Sequence, residues 1–180
     1  MATLFQKDGE CHVVDPANWN SPDSGPLCPI NMGFTQDKWG KVCCSPKLFG
    51  YVPTQIREEF ERARGAILYG GWYFYGLASL GLDHCWRIHE LAARTKCIEL
   101  GHEPKDFDKA IKWLLQQGIF SGKDAQMWQA ARSLRNKRSH LESRFLWDAP
   151  GCVSSLRGTA EKINKLFGPP VTRRLNRTKG

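Results

Sequence analysis

Arg135, Asn136 and His140 are the residues of this sequence best suited by type and spacing to do chemistry. They lie in the run Ala131-Arg132-Ser133-Leu134-Arg135-Asn136-Lys137-Arg138-Ser139-His140-Leu141-Glu142. An imidazole exchanges protons near neutral pH, and a guanidinium offers an anion a planar fork of donors. Each residue of an α-helix turns about 100°. If Met127 points to the core, Ala131, Leu134, Leu141 and Phe145 fall within roughly 40° of it on that geometry. Asn136 and His140 then point nearly the opposite way, one turn apart, with Arg135 to one side and long enough to curl toward them. Arg138 breaks the pattern, because it falls where an apolar residue is expected. Either the helix distorts there or this arginine lies against another chain or an acidic partner.

The plain alternative is a solvated basic face, since charge runs are usually wet surface. Two features speak against it. No acid is interleaved between Arg132 and Arg138 to form i,i+4 pairs. The same face also carries a histidine. The net charge of +8 allows an anionic partner, nucleic acid first. Part of that excess sits in Arg173, Arg174, Arg177 and Lys179, beyond Gly168-Pro169-Pro170, in a basic tail over 169–180 expected to be flexible.

These residues need a scaffold, and 180 residues at 41% hydrophobic content suffice for one core. Residues 1–52 are punctuated by Asp15-Pro16, Ser21-Pro22, Gly25-Pro26, Cys28-Pro29 and Ser45-Pro46. That leaves room for turns and short extended pieces only, an irregular extension packed on the main body through Trp19, Phe34, Trp39, Phe49 and Tyr51. From Pro53 the apolar period becomes helical. Ile56, Phe60, Ala63 and Ile67 share one face, with Thr54 as N-cap. The pair Gly70-Gly71 allows a break, and a second helix is predicted from about Trp72 to Leu100, stopped by Gly101. A third follows Pro104 and closes at Gly118. Met127 to Phe145 marks a fourth, and Leu156 to Phe167 a fifth, ended by Gly168 and two prolines. Five amphipathic helices with short connections predict an all-α antiparallel bundle over 53–168.

At Arg-Asn-x-x-x-His the sequence resembles the HEPN superfamily, whose signature is an arginine, a polar residue, then a histidine four to six positions after the arginine. The resemblance covers roughly 53–168. The segment Val52-Pro53-Thr54-Gln55-Ile56-Arg57-Glu58-Glu59-Phe60-Glu61-Arg62-Ala63 is similar to the first helix of a bacterial HEPN subfamily. So are the third helix with its Gly118-Ile119 end and the Leu134-Arg135-Asn136 approach to the motif.

The resemblance implies a homodimer with two motif helices facing across a cleft. It also implies a metal-independent endoribonuclease of a toxin–antitoxin, abortive-infection or other anti-phage defence system, using no cofactor. RNA cleavage by its own 2′-hydroxyl needs a base, an acid and positive charge on the phosphorane. His140 would transfer protons. Arg135 would hold and neutralise phosphate oxygens, and Asn136 would orient the histidine or the scissile group. Arg132, Lys137 and Arg138 would bind the RNA backbone. An antitoxin or defence-system protein is a possible further partner. Leu141, Glu142 and Ser143 follow the histidine where antitoxin-modified members carry a tyrosine, so adenylylation of such a tyrosine is not expected. Other members use the bundle without catalysis, to bind a protein or nucleotide, and a helical fold alone proves no activity.

Rival sites are weaker. Cys11, His12, Cys28, Cys43 and Cys44 hold enough ligands for one zinc ion, but no C-x2-C knuckle is present. Seven cysteines form an odd set and read as reduced thiols, with Cys85, Cys97 and Cys152 as small core hydrophobes. His84, His89 and Glu90 lack the spacing that puts two imidazoles on one helical face. Trp72, Tyr73, Phe74 and Tyr75 lack interleaved cations and read as packing. No apolar stretch reaches the length of a membrane span. The first ten residues, with Gln6, Lys7, Asp8 and Glu10, show no secretion signal, so a cytoplasmic location and no membrane partner are expected.

Overall fold

The computed structural model describes residues 6–7, 10–11, 20–23, 25, 27–138 and 148–168. The fold is all-α. Its helices are α1 (Gln36–Cys44), α2 (Thr54–Tyr73), α3 (Tyr75–Glu99), α4 (Phe107–Gln116), α5 (Gly122–Arg138) and α6 (Ala149–Phe167). The other regular pieces among the described residues are a 3-10 turn at Ile30–Met32 and a two-residue antiparallel ladder, β1 (Gln6–Lys7) with β2 (Glu10–Cys11).

Helix starts follow the capping chemistry of the sequence. Thr35 accepts from the Lys38 amide at 3.3 Å, Asp106 from Lys109 at 2.9 Å and Asp148 from Gly151 at 2.8 Å, each satisfying an amide that the first turn leaves open. Ser121 and Asp124 cap α5 reciprocally, with Ser121 N donating to Asp124 at 3.0 Å and Asp124 N to Ser121 Oγ at 3.1 Å. Gly101 and Gly118 stop α3 and α4 at φ +82° and +68°, left-handed values that favour glycine. Thr54 is the first helical residue of α2 rather than its cap, and the N-cap position falls to Pro53.

Two expectations need correction. The proline-rich region before residue 53 contains a helix, α1, which the turn punctuation on either side obscured. Its Trp39 and Cys43 are buried, and Trp39 Nε1 donates to Leu68 O of α2 at 2.8 Å. Gly70 and Gly71 do not break α2. The chain turns instead at Phe74, whose φ of −154° and ψ of 89° separate α2 from α3. Gly71 is needed for close packing: a methyl group built there would lie 2.6 Å from the Trp39 ring.

The N-terminal region also fastens that turn. Buried Asp23 accepts from Tyr75 N at 2.9 Å and from Gly25 N at 2.8 Å, while its own amide donates to Trp72 O at 2.8 Å. A carboxylate from the extension thus serves the open Tyr75 amide at the start of α3, where the helix dipole favours negative charge.

Helices α2 and α3 run antiparallel, Gly81 lying against Ala63 and Ile67 and His84 against Glu59. Helix α6 runs parallel to α3, not antiparallel. Tyr75 Oη lies 3.7 Å from Cys152 Sγ near the start of both helices, and Lys96 sits over the Phe167 ring near their ends. Ile56, Phe60, Ile67, Leu82, Ile88, Ile111, Leu114, Leu156 and Ile163 fill the resulting core, and Cys28, Trp39 and Cys43 of the extension belong to the same cluster. No described helix is long and apolar enough to cross a membrane.

Candidate functional site

Helix α5 is oriented by Trp128. The indole is buried, stacks on Phe120 with ring centroids 5.0 Å apart, and meets His89 of α3 edge-on at 5.1 Å. Ala125 and Ala131, one on each side of that direction, are buried as well. Leu134 is 36% exposed, so the core direction is not the Met127 line expected from the sequence. The large aromatic ring outweighs the methionine because it removes more apolar surface from water.

This change of direction moves the arginines. At about 100° per residue, Arg132 and Arg135 lie within roughly 40° of the Trp128 direction. They therefore face the rest of the bundle, where carboxylates meet them. Arg135 Nη2 is 3.0 Å from Glu90 Oε2 of α3, and Arg132 Nη1 is 3.4 Å from Asp108 Oδ1 of α4. Asp108 also accepts from Gln129 Nε2 at 2.9 Å and pairs with Lys112 at 2.7 Å. Hydrogen bonds from Lys112 and then Gln129 hold its carboxyl below the usual carboxylate range. Arg135 is thus tied to a carboxylate of its own subunit. The acids that neutralise α5 come from other helices, which is why they were invisible in the α5 sequence.

Asn136 is exposed on the adjoining face. Lys137 and Arg138 are the last described residues of α5, with side chains outside the described part of the structure. His140 also lies outside the described residues, as do Leu141 and Phe145. The structure thus places Arg135 and Asn136 on the last described turns of α5 and adds Glu90, which spacing on α5 had no means of indicating.

Most rival groups among the described residues are occupied or sealed; Cys44 is exposed, and His12 and the Cys11 side chain lie outside the described part of the structure. His89 is buried, and its Nδ1–H donates to Cys85 O at 2.9 Å, which fixes the neutral tautomer. Burial and then nearby Lys162 push its pKa down to about 3. His84 Nε2 is 2.6 Å from Glu59 Oε2. Burial raises the thiols of Cys28, Cys43 and Cys85 to about 12 and that of Cys97 to about 11, which leaves them protonated and poor nucleophiles at neutral pH. Among the described residues no group of three His, Cys, Asp or Glu side chains is placed to hold a metal ion. Trp72 and Tyr75 are buried in the packing at the α2–α3 turn.

Comparison with protein-family models, with curated proteins and with solved structures found no match to this chain.

Proposed function

We propose that the chain is a HEPN-like, metal-independent endoribonuclease that acts as a homodimer, in the manner of a toxin or anti-phage defence effector in the cytoplasm. The observation that carries this reading is the placement of Arg135 and exposed Asn136 side by side on the last described turns of α5, with the guanidinium held by Glu90. His140, one turn beyond Asn136 in sequence, would supply the proton transfer. It would take the proton from the 2′-hydroxyl as that oxygen attacks phosphorus, and in the second subunit return one to the departing 5′-oxygen. Arg135 would balance charge on the phosphorane oxygens, the position at which a fixed cation stabilises the transition state more than the substrate. Arg132, Lys137 and Arg138 would add attraction for the strand, weakening as salt rises.

A second reading is favoured by one observation. Arg132 and Arg135 are both engaged by carboxylates of their own subunit, as expected of a bundle that binds a partner protein or nucleotide without cutting. Induced expression of the wild type beside His140→Ala separates the two. Growth arrest and RNA breakdown in the wild type, abolished in the variant and unaffected by a chelator in vitro, support the nuclease. Equal behaviour of the two chains leaves the binding module.

A further inference from the structure

We propose that Arg87 and Arg94 of α3 bind RNA phosphates that flank the one held at Arg135, so that the strand crosses α3 beside the motif helix. This rests on RNA being the partner, as proposed above, and adds a second helix to the surface that holds it.

Glu90 is the point around which the charges gather. At about 100° per residue, Asp83, Arg94 and Arg87 stand about 20°, 40° and 60° round α3 from Glu90, all to the same side. Arg87 is exposed and Arg94 half-buried. Glu90 precedes Arg94 by four residues, the order in which an acid and a cation pair best on one helix. Its carboxylate nevertheless lies 3.0 Å from Arg135 of α5. Neither Arg87 nor Arg94 takes part in an ion pair among the described residues.

This face thus sets three guanidiniums, Arg87, Arg94 and Arg135, against two carboxylates, Asp83 and Glu90. Arg87 and Arg94 are seven residues apart, about 10 Å along the helix axis, and Arg135 meets Glu90 between them. A ligand that serves all three needs successive anionic groups on one chain, which a phosphodiester backbone supplies and a single carboxylate does not. The planar fork of each arginine suits it to a pair of phosphate oxygens. A second copy of the chain laid directly on this face would set arginine against arginine, and like charges brought together cost free energy.

The test uses the full chain carrying His140→Ala, so that binding is read without cutting, and fluorescence anisotropy with a labelled poly(U) 20-mer across a salt series. Arg87→Gln with Arg94→Gln is expected to weaken binding by about tenfold and to lower the slope of log affinity against log salt by roughly 1.4, two phosphate contacts on a single strand. Arg87→Lys with Arg94→Lys should keep the slope. Lys38→Gln with Lys47→Gln, exposed cations on α1 and the loop after it, removes the same charge elsewhere and should also keep the slope. A Gln pair on α3 that binds with the parent slope overturns the inference, as does a Lys38 and Lys47 pair that lowers it equally, which would make the effect one of net charge. In either case the chain still binds RNA, and the nuclease reading, tested by cutting, stands. A chain that ignores the 20-mer at every salt concentration, whether or not it takes a labelled ATP, overturns the inference and the RNA reading together.

Discussion

Arg135 of α5 and Glu90 of α3 are paired at 3.0 Å, with the arginine side chain 38% and the glutamate 20% exposed. This contact makes the motif arginine part of the bundle as well as a candidate phosphate ligand. A phosphate arriving at Arg135 either shares the guanidinium with Glu90 or displaces it. Glu90 is thus a positioning residue in the proposed nuclease and a simple ion-pair partner in a binding module.

The two roles predict different outcomes at Arg135. In the nuclease, Arg135→Lys keeps the charge but loses the two-pronged donor geometry, and RNA cleavage is expected to fall by about 10²–10³. Because the pair is partly exposed, the same change should cost less than about 1 kcal/mol of stability. Cleavage rates beside a urea melt check this, and a variant that cuts normally would remove Arg135 from the chemistry.

Glu90→Gln removes the charge and keeps the shape. In the nuclease, KM is expected to fall, since phosphate no longer competes with a carboxylate for Arg135, and kcat is expected to fall with it as the guanidinium loses its fixed position. A purely structural pair would lower stability and move neither parameter.

His89 gives the fold a pH dependence. Its pKa drops from 6.5 to about 3 on folding, chiefly through burial. Below pH 6.5 the unfolded chain binds a proton there that the folded chain refuses. Stability is therefore fully present above about pH 6.5 and lost as pH falls toward 3, at up to about 1.4 kcal/mol per pH unit. The lowered carboxyls of Asp108 and Asp124 act below about pH 4, their ordinary range. Urea melts between pH 7 and 4.5 thus isolate the histidine, and His89→Leu should flatten the slope in that window. An unchanged slope would place the titration elsewhere.

Two glycines of α2 should respond to alanine with opposite signs. A methyl group at Gly71 meets the Trp39 ring at 2.6 Å, so Gly71→Ala is expected to destabilise by about 1–3 kcal/mol. Gly65 has open space around the same position, and Gly65→Ala should stabilise by about 0.5–1 kcal/mol through helix propensity. Paired urea melts check both signs. A stabilised Gly71→Ala would mean that Trp39 is not seated against α2.

The sequence by itself determined the helices after residue 53, because apolar period, cap residues and stop glycines are local signals. Asp106, Gly101 and Gly118 act where their types require. It also marked Arg135 and Asn136 as neighbours on one helix. Tertiary structure alone decided which way that helix faces. Trp128 outweighed Met127 as the core contact, and the rotation carried Arg132 and Arg135 against Asp108 and Glu90, acids far away in sequence. Long-range packing likewise decided that α1 forms, with Trp39 held between α1 and Leu68 of α2, and that α6 lies parallel to α3. Periodicity reports how wide an apolar face is; what that face meets depends on which surfaces fit together once the chain has folded.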